Sequence, residues 1–244
     1  MRKKIEFTQK NREDLREFIL NDKRDKVIFN FLNLYSVYLY RTDKDVAESI
    51  DNMQKSSINS ADGFPISLFL RLKRNRGTDF TLFVLNDKEL SEKRKHLFIG
   101  VDSEDKESIN KIINKFNYLN EKNVLCYNPP YIKKSRFSKE EVEKITKIIN
   151  SEKVDFIWVG VGNPKQEILS GDLYDNLEKG YLFNVGAALD FINEKKKESP
   201  KFLQNIGLEW SYRFFTDFKH SGKKILKSLI GIVYMPITIK KKSI

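Results

Sequence analysis

The chain has 244 residues, 40% of them apolar and 32% charged, with a formal net charge of +11. That balance belongs to a globular chain able to bury a real core, as one sizeable domain with an appendage or at most two small domains. The charge is uneven, since residues 219–244 hold seven lysines and no acid, leaving 38 basic against 34 acidic residues in the first 218. The single cysteine, Cys126, excludes an intrachain disulfide framework and reads as a strand residue turned inward. The basic start Met1 to Glu6 is followed by no apolar signal region. The uncharged run Ser228 to Ile239 near the C-terminus has 12 residues and is too short to span a bilayer.

Leu15, Phe18 and Ile19 place an amphipathic helix within Thr8 to Asn21, and Val27 to Leu32 follows as an apolar strand. Asn33 stands where that strand should meet a ligand crevice. A polar-faced helix covers Asp43 to Met53. Ala61-Asp62-Gly63-Phe64-Pro65 is a turn that opens a second helical pattern through Ile66, Leu68, Phe69 and Leu72. Arg71, Lys73, Arg74 and Arg76 then form a basic cluster, whose ordinary reading is a solvated helix end complementing the dipole. Gly77 breaks the pattern.

Thr81 to Leu85 is predicted as a short strand and Leu97 to Val101 as another. The acidic opening Ser103-Glu104-Asp105 starts a helix striped by Ile109, Ile112, Ile113 and Phe116. Val124 to Tyr127 is a strand, and the capping box at Ser138 to Glu141 opens a helix through Ile149. Asp155 to Val159 is a buried strand that turns at Gly160-Val161-Gly162-Asn163 into a helix begun by Pro164. Tyr181 to Gly186 is the last strand expected, Ala187 to Ile192 is helical, and from Ser199 onward only helical periodicity remains. Strands alternating with helices at this spacing predict a parallel sheet covered on both faces.

Three turns would then supply polar groups to one crevice: Asn33, Asp62 with Gly63, and Lys165 with Gln166. In an open parallel sheet these lie at strand carboxyl ends, where a helix N-terminus and backbone amides face the ligand. Gly160 and Gly162 permit close backbone approach, and Lys165 and Gln166 suit phosphate or sugar hydroxyls. A tight loop with a structural proline is the simpler reading of the same turn. Asp62 fits a general base for a hydroxyl nucleophile, and equally an N-cap or Asx-turn residue. The dinucleotide fingerprint is incomplete, and no P-loop, metal-ligand spacing or Ser/His/Asp arrangement is present. His96 and His220 read as non-catalytic.

Asn33, Ala61-Asp62-Gly63, Val159 to Glu167, Val185-Gly186-Ala187-Ala188-Leu189-Asp190-Phe191 and Gly207-Leu208-Glu209-Trp210-Ser211-Tyr212-Arg213 resemble the successive signature blocks of the TagA/WecG/CpsF family of bacterial glycosyltransferases. The resemblance runs from about residue 26 to 218. It implies an inverting, metal-independent transfer of a sugar, commonly N-acetylmannosamine or its uronic acid, from a UDP donor to a polyprenyl-diphosphate-linked acceptor on the inner face of the membrane. By the same resemblance Asp62 is the catalytic base. The substrate-binding set is Asn33, Gly63, Gly160, Gly162, Pro164, Lys165, Gln166, Glu167, Gly186, Asp190 and Arg213. Two positions depart from the family's pattern: the threonine that many members have two residues before Asn33 is Phe31 here, and the usual arginine-alanine-proline is Glu198-Ser199-Pro200.

The expected architecture is a Rossmann-like α/β domain over residues 1–198 and a helical, basic appendage over 199–244 that docks on the cytoplasmic face of the membrane. Lysines interleaved with Ile225, Leu226, Leu229, Ile230, Ile232 and Val233 combine apolar insertion with attraction to anionic lipid. Lys219, Lys223 and Lys224 are placed to meet the membrane or the acceptor diphosphate, and a solvated tail is the alternative. The expected partners are a UDP-sugar, a lipid-linked acceptor and the membrane surface. No cofactor or nucleic-acid partner is expected, and self-association into a homo-oligomer is left open. The competing readings are a basic nucleic-acid-binding module, prompted by the tail and the Arg71 to Arg76 cluster, and a sugar-nucleotide-binding protein without turnover.

Overall fold

Strand β2 (Lys26–Leu32) is buried along nearly its whole length, as a central parallel strand covered on both faces must be. The computed structural model describes residues 3–194, 199–205, 209, 212 and 218–242. Six parallel strands form the main sheet in the order β3-β2-β7-β6-β4-β5, with β3 at Ser57–Ala61, β4 at His96–Ile99, β5 at Val124–Tyr127, β6 at Phe156–Val159 and β7 at Gly180–Asn184. The expected parallel, helix-covered sheet is therefore present. Chain order reverses beside β2, and the carboxyl ends of β2, β3, β6 and β7 are neighbours in register, since Leu32 pairs with Ala61 and Val159 with Asn184.

Period-two alternation sorts the core chemically. One face of the sheet carries Phe29, Phe98, Phe156, Trp158 and Phe183, while the other carries Ile28, Leu97, Ile157, Val159 and Leu182. On the aromatic face the rings of Trp158 and Phe183 stack at 4.5 Å and those of Phe29 and Phe183 at 4.8 Å. His96 is enclosed there, taking a hydrogen bond from the Trp158 indole at 3.2 Å, and burial pushes its pKa down to about 4. On the opposite face a relay of amides crosses three strands. Asn184 donates to Asn30 at 2.6 Å, Asn30 to Asn59 at 2.8 Å, and Asn59 to the carbonyl of Glu6 at 2.9 Å.

The aromatic face is covered by helices α1 (Arg12–Asn21), α5 (Gly77–Leu85), α7 (Lys106–Lys115) and α10 (Ala188–Ile192), and the aliphatic face by α8 (Lys139–Ser151) and α9 (Lys165–Tyr174). Thr81 to Leu85, expected as a strand, belongs to α5. Phe80 and Val84, and Thr81 and Leu85, are buried at helical spacing, and the Thr81 hydroxyl bonds the carbonyl of Gly77 at 2.8 Å. A short apolar run does not by itself distinguish a strand from a buried helix.

A third cluster lies beyond the β3 edge. It joins α2 (Leu34–Thr42), α3 (Lys44–Met53) and α4 (Phe64–Leu70) to both ends of the chain. Strand β1 (Ile5–Phe7) pairs in parallel with β8 (Ile239–Lys241), and α12 (Phe218–Thr238) packs along α2. Helix α2, β1 and β3 were not expected, and β8 corrects the expectation that residues after Ser199 form no strand. Three-residue strands lie below what periodicity resolves, and β8 exists only because Ile5 and Phe7 supply its partner. Helices α6 (Lys88–Ser91) and α11 (Lys201–Asn205) complete the described elements.

Candidate functional site

The turn after β2 begins at Asn33, whose side chain accepts from the amides of Tyr35 at 3.0 Å and Ser36 at 3.3 Å and so caps α2. Gly63, at the N-cap of α4, lies against it, since a Cβ at Gly63 would stand 3.5 Å from the Asn33 Cβ. Asp62 therefore sits at the junction of the two turns. It caps no helix of its own, because its Oδ1 accepts from the Gly77 amide at 3.0 Å, at the N-terminus of α5. No hydrogen bond reaches its Oδ2 from the described residues.

Burial pushes the Asp62 pKa up. The Gly77 amide and the guanidinium groups of Arg74 and Arg76 pull it down in part, and Glu209 adds to the rise. Those two arginines correct the reading of residues 71–76 as a solvated helix end. Arg74 donates to the Asp62 carbonyl at 2.8 Å and to the Gln204 carbonyl at 2.8 Å, and pairs with Glu209. Arg76, 9% exposed, pairs with Asp79 at 3.0 Å and bonds the Gln204 side chain. Arg71, the left-handed C-cap of α4, and Lys73 are exposed, as the simple helix-end picture expects.

The β6–α9 turn forms the other wall. Asn163 Nδ2 donates to Ser36 Oγ at 2.9 Å, which ties this turn to the Asn33 cap, and to Glu167 Oε1 at 2.9 Å. Gln166 Nε2 donates to the same Glu167 oxygen at 3.0 Å and lies 3.4 Å from the Asn184 carbonyl. Gly186, at φ +53°, closes this wall, since a Cβ there would lie 3.1 Å from Gln166 Oε1. Gly160 faces the fold, because its Cβ would meet Leu189 at 2.4 Å, whereas a Cβ on Gly162 (φ +81°) would meet nothing within 4 Å. Gly160 thus serves packing, and Gly162 faces open space.

Three acceptors in this wall, Asn163 Oδ1, Gln166 Oε1 and Glu167 Oε2, are buried without a hydrogen-bond partner among the described residues. Gln166 and Glu167 are 5% and 4% exposed. Leaving such atoms unpaired costs about 1–3 kcal/mol each, a cost that donors such as hydroxyl or amide hydrogens would relieve. Burial raises the Glu167 pKa to about 7, with the Gln166 and Asn163 amides and Lys224 opposing the rise.

Asn33, Asp62, Gly63, Gly162, Gln166, Glu167 and Gly186 therefore line a connected set of turns at one end of the sheet. Pro164 is the N-cap of α9. Lys165 turns away to the β5–α8 loop, where it donates to the Ile132 carbonyl at 2.6 Å and lies over the Tyr131 ring. Asp190 is half-buried in α10. Lys223 and Lys224 are exposed on α12, with Lys224 5.7 Å from the Tyr35 ring centre. Arg213 and the side chains of Lys219 and His220 lie outside the described residues. The sequence reading missed Ser36, Asn163, Arg74, Arg76 and Glu209. Among the described residues no group of three or more His, Cys, Asp or Glu side chains could hold a metal ion.

A family model described as glycosyl transferase WecG/TagA/CpsF family matches residues 4–243. The chain is also similar to the N-acetylglucosaminyldiphosphoundecaprenol N-acetyl-beta-D-mannosaminyltransferases of Staphylococcus aureus strains NCTC 8325 / PS 47, COL and MRSA252. Each is 33% identical over 102 residues, which is 42% of this chain and 39% of the relative. The chain thus spans about two fifths of the length of these relatives in the matched stretch. The family match takes in nearly the whole chain, and the protein belongs to the WecG/TagA/CpsF family of glycosyl transferases.

Proposed function

We propose that the protein transfers a hexose, N-acetylmannosamine or a close relative, from a UDP-sugar to a polyprenyl-diphosphate-linked GlcNAc acceptor, with inversion, in the synthesis of a cell-surface polysaccharide or teichoic acid. The observation that carries this is the pairing of Asp62, a carboxylate with raised proton affinity and one open oxygen, with a wall of three unpartnered buried acceptors in the same group of turns. The wall suits the hydroxyl and amide hydrogens of a sugar nucleotide. Asp62 takes the proton of the acceptor hydroxyl as that oxygen bonds to the anomeric carbon, while the bond from that carbon to UDP breaks on the opposite side. A single displacement of this kind inverts the anomeric centre.

The membrane is the natural place for such an acceptor. No described helix is long and apolar enough to cross it, and α12 leaves Leu226, Leu229, Ile230, Ile232, Val233 and Ile237 exposed beside Lys223, Lys224 and Lys227. That face suits peripheral binding at the cytoplasmic leaflet. We retain the division into a domain over 1–198 and an appendage over 199–244 as part of this proposal. The nucleic-acid alternative loses its support in the body of the protein, because Arg74 and Arg76 are engaged by Glu209, Asp79 and Gln204.

Incubation with a panel of UDP-sugars and a short-chain lipid-diphosphate-GlcNAc acceptor tests the proposal, read by UDP release and by the mass of the product. One UDP-sugar should give a disaccharide on the lipid. No product from any of them, with the protein folded and the acceptor competent, overturns it.

A further inference from the structure

Helix α4 buries Ile66, Ser67 and Leu70 and leaves Phe64, Leu68 and Phe69 40%, 66% and 47% exposed. Three large apolar side chains in open solvent on a seven-residue helix are unfavourable unless something covers them. Phe64 and Leu68, with Leu72, form the apolar lining of a groove of about 580 Å³ that Arg71, Arg74 and Arg76 also line. Asp79 and Gln204 also line it. The arginines are not equivalent. Arg74 is paired with Glu209 and Arg76 with Asp79, whereas Arg71 is exposed and carries no ion pair among the described residues.

The groove runs toward the candidate base, because Arg74, in its lining, donates to the carbonyl of Asp62. Its outer rim meets the C-terminal segment, where Lys241 Nζ lies 3.4 Å from the Arg71 carbonyl. The groove therefore combines an apolar wall with arginines, one of which reaches the backbone of Asp62. A lipid-linked sugar combines the matching parts: hydrocarbon, diphosphate and a hexose to be brought to the base.

We propose that this groove holds the isoprenoid-diphosphate portion of the acceptor, with the first isoprene units against Phe64, Leu68 and Leu72 and the diphosphate at Arg71. This rests on the glycosyl-transfer reading for its choice of ligand. Arg71 supplies a planar set of donors suited to a phosphate oxygen pair, and the apolar wall accounts for the chain that a free nucleotide lacks.

The test is direct binding to the full-length protein by calorimetry, with geranylgeranyl diphosphate as the probe and inorganic pyrophosphate as its head group alone. Binding of the prenyl probe should be at least about tenfold tighter than that of pyrophosphate. Leu68→Asp and Arg71→Gln should each weaken it about tenfold, with circular dichroism and UDP binding unaltered. Leu68→Ala, which introduces no charge, should weaken it less. Equal binding of the probe by all variants overturns the groove. So does equal affinity for pyrophosphate, which would mark an adventitious anion only, or displacement of the probe by phosphatidylcholine vesicles, which would mark a general lipid surface. The assay requires no turnover. A protein that binds the probe here but transfers no sugar overturns the proposed function and leaves the groove, and one that transfers sugar with unaltered chain-length preference in Leu68→Asp does the reverse.

Discussion

The carboxylate of Asp62 accepts a 3.0 Å hydrogen bond from the backbone amide of Gly77, fifteen residues further on. One oxygen is thereby held at the N-terminus of α5, and the other takes no hydrogen bond from the described residues. The bond also locates the turn after β3 relative to the aromatic layer, because Gly77 itself packs on Phe31, whose ring would stand 3.3 Å from a Cβ at that position. Phe31 is thus a core residue, 6% exposed and 5.2 Å from the Phe80 ring centre.

Asp62→Asn preserves the shape and an acceptor for the Gly77 amide but removes the site that takes the proton. Turnover should fall by about 10²–10⁴ while UDP-sugar affinity stays within about twofold. Steady-state kinetics beside calorimetry separates the two quantities. Undiminished turnover would remove Asp62 from the mechanism.

Glu167 gives stability a specific pH dependence. Its pKa is raised from an ordinary 4.5 to about 7, so the folded state holds a proton that the unfolded chain gives up. Below pH 4.5 both states are protonated and there is no penalty. As pH rises from 4.5 through 7 the penalty grows to about 3 kcal/mol and then levels off. Glu167→Gln should match the native protein near pH 4 and exceed it by up to about 3 kcal/mol at pH 8, as read by urea denaturation across that range. A constant difference between the two proteins would contradict the assignment.

The amide relay across β3, β2 and β7 depends on its middle member. Asn30→Ala leaves Asn184 Nδ2 without an acceptor and Asn59 Oδ1 without a donor, both in a buried layer. Losses of about 2–4 kcal/mol are expected in chemical denaturation. A loss under about 1 kcal/mol would mean that water replaces the missing amide.

Membrane binding is best tested without removing the tail. Deleting residues 219–244 would take away Met235 and Ile239, which are 6% and 2% exposed, and uncover Ile5, Phe7, Val37 and Tyr40. Loss of flotation in such a protein would report unfolding as readily as a lost anchor. Val233 and Leu226 are 74% and 60% exposed, so Val233→Glu with Leu226→Glu should leave the melting temperature within a few degrees. Flotation with anionic liposomes should fall by about tenfold, and the salt-resistant part of binding should be lost. Unaltered flotation would place the membrane contact elsewhere.

Most of the sheet was legible in the sequence, because a strand buried on both faces shows as an unbroken apolar run, as in Val27 to Leu32 and Phe156 to Val159. The turns that follow those runs were legible too, since topology brings carboxyl ends of parallel strands together whatever the side chains do. Thus Asn33, Asp62 and Gln166 could be grouped before any contact was known. The sequence alone could not say that Thr81 to Leu85 is helical, since that run has the composition of a strand and is turned into a helix by what flanks it.

What only the tertiary structure decided are relations between distant residues that leave no local period. Arg74 and Arg76 resemble a solvated helix end until Glu209 and Gln204 come from far along the chain to meet them. The short strands β1 and β8 are too brief to show a pattern and exist because the two chain ends meet, with Ile5 opposite Ile239. Whether the Asp62 carboxylate caps its own helix or another was likewise undetermined, because Asp followed by Gly permits both. The fold settles it by bringing the Gly77 amide to within 3.0 Å, where a hydrogen bond in a partly desolvated turn outweighs a local cap open to water.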